Sequence, residues 1–193
     1  MNASTKTIDL RLGAIVLLVL VAAATRLVPH PYNFSPLGAI ALFSGALLTR
    51  RWLAVMLPVT AAFVSDLVIN NTLYAEYHDG FIWLAEGAGW MYLIYVVISI
   101  LGMVVLRNVG TGSVLGGSLG ASIIFFIASN LMCWPGNPMY AQDLGGLMSC
   151  YAAGLPFFPG TVAGDLVYST LLFGGFALLQ RVVPELQAVP VQR

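Results

Sequence analysis

Long apolar runs separated by short polar junctions fill most of this chain, and their length predicts helices that cross a membrane. Few or no charged residues lie inside each run. A helix needs about 20 apolar residues to cross a hydrocarbon core about 30 Å thick. We therefore predict an all-α membrane protein with six transmembrane helices in a single domain over residues 1–193. The six runs are 12–29, 34–49, 52–71, 89–106, 114–133 and 159–180.

Two of the runs have features that set them apart. The run 34–49 rises about 24 Å as a helix, which is less than the hydrocarbon thickness, and we expect it to be recessed from one face. The first run follows Lys6 and Arg11 and contains three consecutive alanines from Ala22, a pattern also typical of a cleavable secretory signal. Cleavage would leave five spans. Because the apolar character continues to Val28, a retained helix is the preferred interpretation.

The composition supports a membrane location and excludes two classes of function. Hydrophobic residues make up 59% of the chain, charged residues make up 8%, and the mean hydropathy is +0.89. A soluble core of one 193-residue chain does not bury that much apolar side chain, so a soluble enzyme is excluded. The net charge is zero and no basic run occurs, so we expect no nucleic-acid partner. The expected partners are the lipid bilayer and molecules met in it or beside it.

The basic residues fall almost entirely at one set of junctions and predict how the chain is oriented. Seven of the eight Lys and Arg residues lie at alternate ends of the six runs, and Arg26 alone lies at the opposite ends. Because short cytoplasmic loops hold the excess of Lys and Arg, both termini are expected in the cytoplasm. Three long outer loops then cover 29–36, 72–88 and 134–158. The seven basic residues are Lys6, Arg11, Arg50, Arg51, Arg107, Arg181 and Arg193.

Two of the outer loops have a predictable local structure. Three prolines within 29–36 prevent a continuous helix and predict a rigid bend, after which Pro36 opens a helix that Ser35 caps. The middle of the third loop is expected to form a short interfacial helix. Its apolar side is predicted to hold Leu144, Leu147, Met148 and Tyr151.

The polar residues inside the runs all fall in the outer half of the predicted helices, which is the main indication of function. Asp66 and Asp165 are the acidic members of this set. A charge in hydrocarbon costs about 2.5–3.5 kcal/mol on insertion scales, so each one needs a partner or a water-filled cavity. Because these polar residues lie at one depth in the predicted helices, we favour a pocket that is open to the outside. In the structural alternative, Arg26 neutralises one aspartate and Asn130 bridges two helices, so that the polar contacts only hold the bundle together.

Aromatic residues at the outer boundary add candidates for ligand contact. Most of them are expected to belong to the interfacial aromatic belt of a membrane protein. Those in the long loops, such as Trp83 and Tyr151, are better placed to stack on a ring-containing ligand. The predicted ligand-binding residues are Arg26, His30, Asn33, Asp66, Asn70, Trp83, Asn130, Tyr151 and Asp165.

No catalytic arrangement and no motif for metal binding or a cofactor stands out in the chain. It has no Walker or HExxH sequence, so we predict that it is not an enzyme and holds no metal and no cofactor. An acid pair of Asp66 and Asp165 is the one enzymatic alternative. Cys133 and Cys150 both fall on the outer side, where an oxidising compartment permits a disulfide across the third loop.

Small residues at four-residue spacing mark faces where helices approach closely. Such faces serve internal packing or, alternatively, the docking of a coupling subunit in the membrane. The three sets are Gly112, Gly116 and Gly120, then Ala41 and Gly45, then Gly160 and Gly164.

Three stretches carry a resemblance that covers nearly the whole chain. They are 30–46 (HPYNFSPLGAIALFSGA), 129–130 together with 150–158 (SN and CYAAGLPFF), and 164–166 (GDL). In these stretches the chain resembles a family of small uncharacterised integral-membrane proteins from bacteria. This resemblance implies a multi-pass protein of the bacterial cytoplasmic (inner) membrane.

The layout also resembles, more weakly, the substrate-binding S component of energy-coupling-factor vitamin transporters. That resemblance implies six helices whose outer loops enclose a vitamin-sized ligand, with Asp66 at the end of the third helix where such proteins place an acidic residue. The AxxxA pattern with which S components dock on their coupling subunit is absent from the first helix, where the alanines from Ala22 are contiguous.

Two functions of different classes follow from the sequence. The first is a membrane protein that binds or takes up a small, vitamin-like solute through an outward-facing pocket. The alternative is an accessory or assembly subunit that docks on a larger membrane complex through its Gly/Ala faces and has no ligand of its own.

Overall fold

The computed structural model describes residues 3–187, with side chains from residue 10 onward. The side chain of Lys6 and the whole of Arg193, which entered the orientation argument, lie outside this described part. Within it, the chain forms seven α-helices and no strand, so the predicted all-α class is confirmed for these residues. The helices are α1 Ala3–Ala24, α2 Leu37–Leu47, α3 Arg51–Thr72, α4 Ala88–Val105, α5 Thr111–Cys133, α6 Leu144–Gly154 and α7 Phe158–Val182.

Five helical segments of the described chain are long and apolar enough to cross a membrane, and the protein is therefore a multi-pass helical membrane protein. The second predicted span does not reach that length. Helix α2 has 11 residues and rises about 16 Å, because it starts only after Pro36 and the backbone turns extended at Leu48. The prediction of six spanning helices is thus corrected to five segments and one short helix. The five segments are Leu10–Leu27, Arg51–Thr72, Ala88–Val105, Thr111–Cys133 and Leu144–Val182.

Helix α2 lies at the centre of the bundle, and the longer helices pack around it. It contacts α1, α3, α4, α5 and α7, and nine of its 11 residues are buried. Its sequence, LGAIALFSGAL, carries no charge, and its glycines and alanines let several neighbours approach at once. Phe43 fills the space towards α7, where its ring centre lies 5.1 Å from that of Phe173 and 5.9 Å from that of Phe176. The core of the protein is therefore built around a helix of only 11 residues.

The closest backbone approach around this core joins α2 to α4 through two glycines. A Cβ on Gly45 would lie 2.1 Å from the carbonyl oxygen of Ser99, and a Cβ on Gly102 would lie 2.5 Å from the carbonyl oxygen of Leu42. Real Cβ atoms do not approach backbone oxygens so closely, so only glycine allows this crossing. The predicted Ala41–Gly45 face thus serves packing inside the protein.

The second small-residue face holds the first outer loop against α7. A Cβ on Gly160 would lie 2.3 Å from the carbonyl oxygen of Tyr32, and one on Gly164 would lie 2.9 Å from the backbone nitrogen of Ser35. Gly164 is six residues into α7, about 9 Å along the helix from its start, so residues 32–36 descend into the bundle before α2 begins. The last residues of the loop between α1 and α2, 34–36, are therefore packed into the bundle, whereas residues 28–33 remain exposed.

The third small-residue face differs from the other two. Nothing lies within 4 Å of a Cβ built on Gly112 or Gly116, whereas one on Gly120 would touch the side chain of Leu101 at 3.3 Å. Towards its N-terminus, the glycine face of α5 is therefore open.

The outer surface of the helix bundle is apolar, as expected for side chains that face lipid. Large aliphatic side chains on every spanning segment remain exposed in the isolated chain. Lipid solvates such groups directly, so they need no partner in the protein. Examples are Leu17, Leu20, Val64, Val104, Ile123, Leu171 and Leu178.

The short helix predicted in the middle of segment 134–158 is present as α6. Asp143 caps it, since its carboxylate accepts a hydrogen bond of 2.8 Å from the backbone N–H of Gly146. Cys150 of this helix is buried and Cys133 at the end of α5 is exposed, and both are free thiols. The disulfide that the sequence permits is therefore not formed in this structure.

Replacing Gly45 by alanine tests the close crossing of α2 and α4. We expect Gly45→Ala to lower the free energy of unfolding by about 1–3 kcal/mol, because the added methyl overlaps the Ser99 carbonyl. The matched control is Gly174→Ala in α7, where nothing lies within 4 Å of the new Cβ. There, alanine should be neutral or stabilising by up to about 1 kcal/mol through helix propensity. Unfolding of the purified protein in detergent measures both, and equal stability of the two variants would contradict the crossing.

Candidate functional site

A cavity of about 370 Å³ opens in the half of the bundle where α1 ends and α2 begins. Its walls come from the end of α1, the first outer loop, the end of α3, and the facing parts of α4, α5 and α7. Charged, hydroxyl and aromatic groups alternate on these walls. The lining residues are Arg26, His30, Pro31, Tyr32, Asn33, Ser35, Gly38, Ile69, Leu73, Tyr74, Tyr95, Phe125, Thr161 and Asp165.

Asp165 lies at the inner part of the cavity and is 3% exposed. Its Oδ2 accepts a hydrogen bond of 2.7 Å from the hydroxyl of Ser122 on α5. Its Oδ1 occupies the space that a side chain at Gly38 would take, since a Cβ there would lie 2.2 Å from it. The backbone amide of Ala39 also faces this carboxylate. Asp165 is thus held against the first turn of α2, where the partial positive charge of the helix N-terminus favours an anion.

The second aspartate of the helices, Asp66, is partly buried and forms an ion pair. Nη1 of Arg26 lies 2.8 Å from Oδ1 of Asp66, and the two side chains are 16% and 25% exposed. Nη1 of Arg26 also donates to the hydroxyl of Ser65, which in turn donates to the carbonyl of Ala61 at 2.7 Å. The hydroxyl of Tyr92 on α4 donates to Oδ2 of Asp66 at 3.1 Å. These contacts tie the end of α1 to α3 and α4 and neutralise both charges.

The two aspartates therefore differ in their charge compensation. Among the described side chains, the Arg26–Asp66 pair is the one ion pair, and no basic nitrogen lies within 4.0 Å of the Asp165 carboxylate. A single charged residue in hydrocarbon is unfavourable by about 2.5–3.5 kcal/mol on insertion scales. Asp165 is offset only by hydrogen bonds and by the end of α2. It is the uncompensated acid of the cavity.

Aromatic side chains form the apolar part of the walls. The rings of Tyr95 on α4 and Phe125 on α5 are stacked, with centres 6.2 Å apart and an angle of 20° between their planes. Tyr95 is buried, so its ring is fixed by packing against neighbouring helices. Tyr32 packs edge-on against Phe157 with centres 6.3 Å apart, at the outer rim. A flat or apolar part of a ligand would meet these faces.

The first outer loop forms the roof of the cavity, and its conformation is fixed by short-range contacts. Asn33 adopts a positive φ of 58°, a left-handed conformation that asparagine tolerates better than most residues. The backbone N–H of Phe34 donates to the carbonyl of Pro31 at 3.1 Å, and that of Ser35 donates to the carbonyl of Asn33 at 3.0 Å. The predicted capping by Ser35 is weak, since its hydroxyl accepts from the N–H of Leu37 at 3.4 Å.

The structure brings four of the nine predicted ligand-binding residues to the cavity wall: Arg26, His30, Asn33 and Asp165. Asp66 contacts the cavity only through its pair with Arg26. His30 is exposed at the rim, where Nδ1 lies 3.0 Å from the carbonyl oxygen of Pro31.

The other four predicted residues lie away from the cavity lining. Asn70 is half-buried near the end of α3, and Trp83 is 70% exposed and contacts Phe81. Asn130 donates to the carbonyl of Phe126 at 2.8 Å and packs against Gly154, so that it joins α5 to α6. Tyr151 donates its hydroxyl to the carbonyl of Ile127 at 2.9 Å, also between these two helices. The contacts of Asn130 agree with the predicted bridge between two helices and not with a place in the ligand pocket.

Several cavity groups were missed by reasoning from the sequence. Thr161 lies four residues before Asp165 and so shares its helix face, a spacing that would have identified it. Ser122 is a small hydroxyl within an apolar run and gives no signal until α5 and α7 are placed side by side. In the sequence, Tyr95 and Phe125 do not differ from ordinary residues of a membrane helix. They line the cavity only because of the way the helices pack.

The described residues contain no group of three or more His, Cys, Asp or Glu side chains that could hold a metal ion. The cavity instead combines one acid, one ion-paired base, hydroxyls and aromatic rings. Charge, hydrogen bonds and stacking are the interactions that such a set offers to a small molecule.

Comparison with known proteins gives a family and no activity. Residues 6–186 match the family described as "Family of unknown function (DUF6580)", and the chain belongs to that family. No curated protein and no solved structure matches the chain.

Breaking the ion pair from one side tests whether Arg26 and Asp66 depend on each other. Asp66→Leu should lower the free energy of unfolding by about 3 kcal/mol, because it leaves the Arg26 guanidinium buried without its partner. The double variant Arg26→Met with Asp66→Leu should be more stable than either single variant. Tyr92→Phe removes one hydrogen bond and should cost about 1 kcal/mol. Denaturation in detergent provides the double-mutant cycle, and additive effects would contradict the pair.

Proposed function

We propose that this member of the DUF6580 family is an integral-membrane protein that captures a small, vitamin-sized solute in an outward-facing pocket. It acts in the bacterial cytoplasmic membrane and carries out no covalent chemistry of its own. The observation that carries the proposal is the 370 Å³ cavity with its mixed lining of charged, hydroxyl and aromatic groups. Ligand pockets have volumes of about 300–1,000 Å³, and a few polar groups on apolar walls fix the orientation of the ligand.

The cavity favours binding over a purely structural role for the polar residues. Groups that only hold helices together lie in solid contacts, as Asn130 and Tyr151 do between α5 and α6. Asp165, Thr161 and Arg26 instead border open space of molecular size. A void kept open beside a buried carboxylate is unfavourable for stability, which supports a role for it in binding.

The distribution of basic residues supports an outward direction for the cavity. The exposed residues Arg50, Arg51, Arg107 and Arg181 lie at helix ends opposite to the cavity, and the positive-inside rule assigns those ends to the cytoplasm. Arg26, at the cavity end, is neutralised by Asp66. With both termini in the cytoplasm, the solute enters from the periplasmic side.

Uptake requires a source of energy that this chain does not carry. Its one helical domain has no nucleotide-binding motif, so transport depends on a partner subunit or on an ion gradient. The layout that resembles an S component supports a coupling subunit as that partner. The missing AxxxA pattern in α1 means that docking would use another face of the protein.

A second function, that of an accessory or assembly subunit, is favoured by one observation. The α5 face with Gly112 and Gly116 is open, whereas the other predicted small-residue faces are filled from within the protein. An open face of this kind allows the close approach of a helix from another membrane subunit. Stoichiometric co-purification with a larger complex, lost in Gly116→Leu, would support this function.

Filling the cavity tests the binding function directly. We expect Thr161→Phe to abolish retention of the solute, because the larger side chain enters the cavity next to Asp165. The matched control is Thr170→Phe on the same helix, an exposed position that faces lipid and should behave like the wild type. Native mass spectrometry of the purified protein, followed by release and identification of the retained compound, measures the difference. A compound bound equally by both variants, or no compound and no stabilising solute for the wild type, would contradict the function.

Reporter fusions test the orientation. A cytoplasm-active fluorescent reporter fused to the C-terminus should fluoresce, and a periplasm-active phosphatase inserted near residue 80 should be active. The reverse pattern would place the cavity on the cytoplasmic side and contradict capture from outside.

A further inference from the structure

We infer that the solute of this cavity is an organic cation, whose ammonium group binds to Asp165. The inference rests on the proposed binding function and adds the charge class of the ligand. It follows from the charge balance of the cavity, from the hydroxyl group of Thr161 near Asp165, and from the aromatic walls.

Of the acidic side chains at the cavity, one has no basic partner. Arg26 is the cationic side chain that borders the cavity, and its charge is matched by Asp66 at 2.8 Å. Asp165 remains, 3% exposed and without a basic group within 4.0 Å among the described side chains. His30 belongs to the rim and is exposed. An incoming cation would therefore complete the charge balance at the inner end of the cavity.

The end of α2 compensates this charge only in part. A helix N-terminus is equivalent to about half of an elementary charge, and its effect falls off within the first turn. The hydrogen bond from Ser122 at 2.7 Å adds a neutral dipole. Both groups fix the carboxylate in place, and neither supplies a full positive charge.

The surroundings of Asp165 also offer oxygen acceptors for an N–H donor. Thr161, one helical turn away on α7, is 8% exposed and lines the cavity, and its hydroxyl makes no hydrogen bond with any described residue. A hydroxyl that lines the cavity without a protein partner is available to a polar group of the ligand. A carboxylate oxygen and a threonine oxygen on one helix face suit the several donors of a primary ammonium group.

The aromatic walls favour an organic cation over a bare metal ion. Ring faces attract cations, and the stacked pair of Tyr95 and Phe125 stands on the same cavity wall. A volume of about 370 Å³ greatly exceeds that of one alkali ion and suits a molecule with an apolar or ring-containing body.

Three probes of the same size and different charge test this inference. Benzylamine, benzyl alcohol and benzoate carry a positive, a zero and a negative charge on one ring. We expect benzylamine to bind wild-type protein in detergent with a Kd at least about tenfold lower than that of either other probe. Tryptophan fluorescence titration and the shift in Tm provide the measurements, and this comparison needs no variant to fold.

Asp165→Asn tests whether Asp165 is the residue that distinguishes the positively charged probe from the other two. The amide keeps the shape and still accepts from Ser122, so the variant should fold and should lose the preference for benzylamine. Asp79→Asn makes the same chemical change on an exposed loop and should keep the preference.

The outcomes separate the ligand class from the binding function itself. Equal binding of the three probes, or preference for benzoate, overturns the organic cation but leaves a ligand pocket. Stabilisation by NaCl over KCl at equal ionic strength, without any effect of the amine, assigns Asp165 to an alkali ion and overturns the inference. A retained compound that is neutral or anionic at pH 7 also overturns it. If no probe and no retained compound binds, the binding function fails as well.

Discussion

The depth at which α2 begins is the constraint on which the rest of the structure depends. Gly38 in its first turn meets Asp165, which lies about 10 Å along α7 from the N-terminal end of that helix. A helix that starts at this depth cannot fill the space above it, and the proline-containing loop that leads to it covers that space only as a roof. The cavity is therefore a direct result of a short central helix held among longer ones. The glycine contacts with α4 fix the other end of α2 and prevent it from sliding outward.

The same geometry explains why two acids in similar positions have different surroundings. Asp66 faces the end of α1, where the chain provides Arg26, and α4, which provides the hydroxyl of Tyr92. Asp165 faces the start of α2, where the chain provides backbone amides and no basic side chain. A low-dielectric interior strengthens both the Arg26–Asp66 pair and the contacts of Asp165 with the start of α2. The ion pair therefore holds α1 and α3 together. The unpaired carboxylate keeps a strong attraction for a positive group.

Much of the fold could be predicted from the sequence, because lipid imposes a simple rule on length and polarity. The long runs that became α1, α3, α4, α5 and α7 correspond to segments of 18 or more residues, a length that can span the hydrocarbon core. Helix α2 was predicted too long, since Phe34, Pro36 and Leu48 continue its apolar run without being helical. The start of α2 is determined by Pro36 and by the packing of the loop against Gly160 and Gly164. This packing cannot be deduced from the sequence alone.

The site could be predicted only where a polar residue is unusual for its surroundings. Arg26 and Asp165 stand out against hydrocarbon, so their depth alone pointed to a cavity wall. Asn70 shares the depth but not the direction, because the angular position of a residue on its helix depends on how the helices pack, and Trp83 lies in the exposed loop before α4. Thr161 and Tyr95 are ordinary residues for a membrane helix and acquire a role only through their neighbours. The sequence of such a membrane protein therefore indicates the depth of a site. The packing of the helices determines which residues at that depth line it.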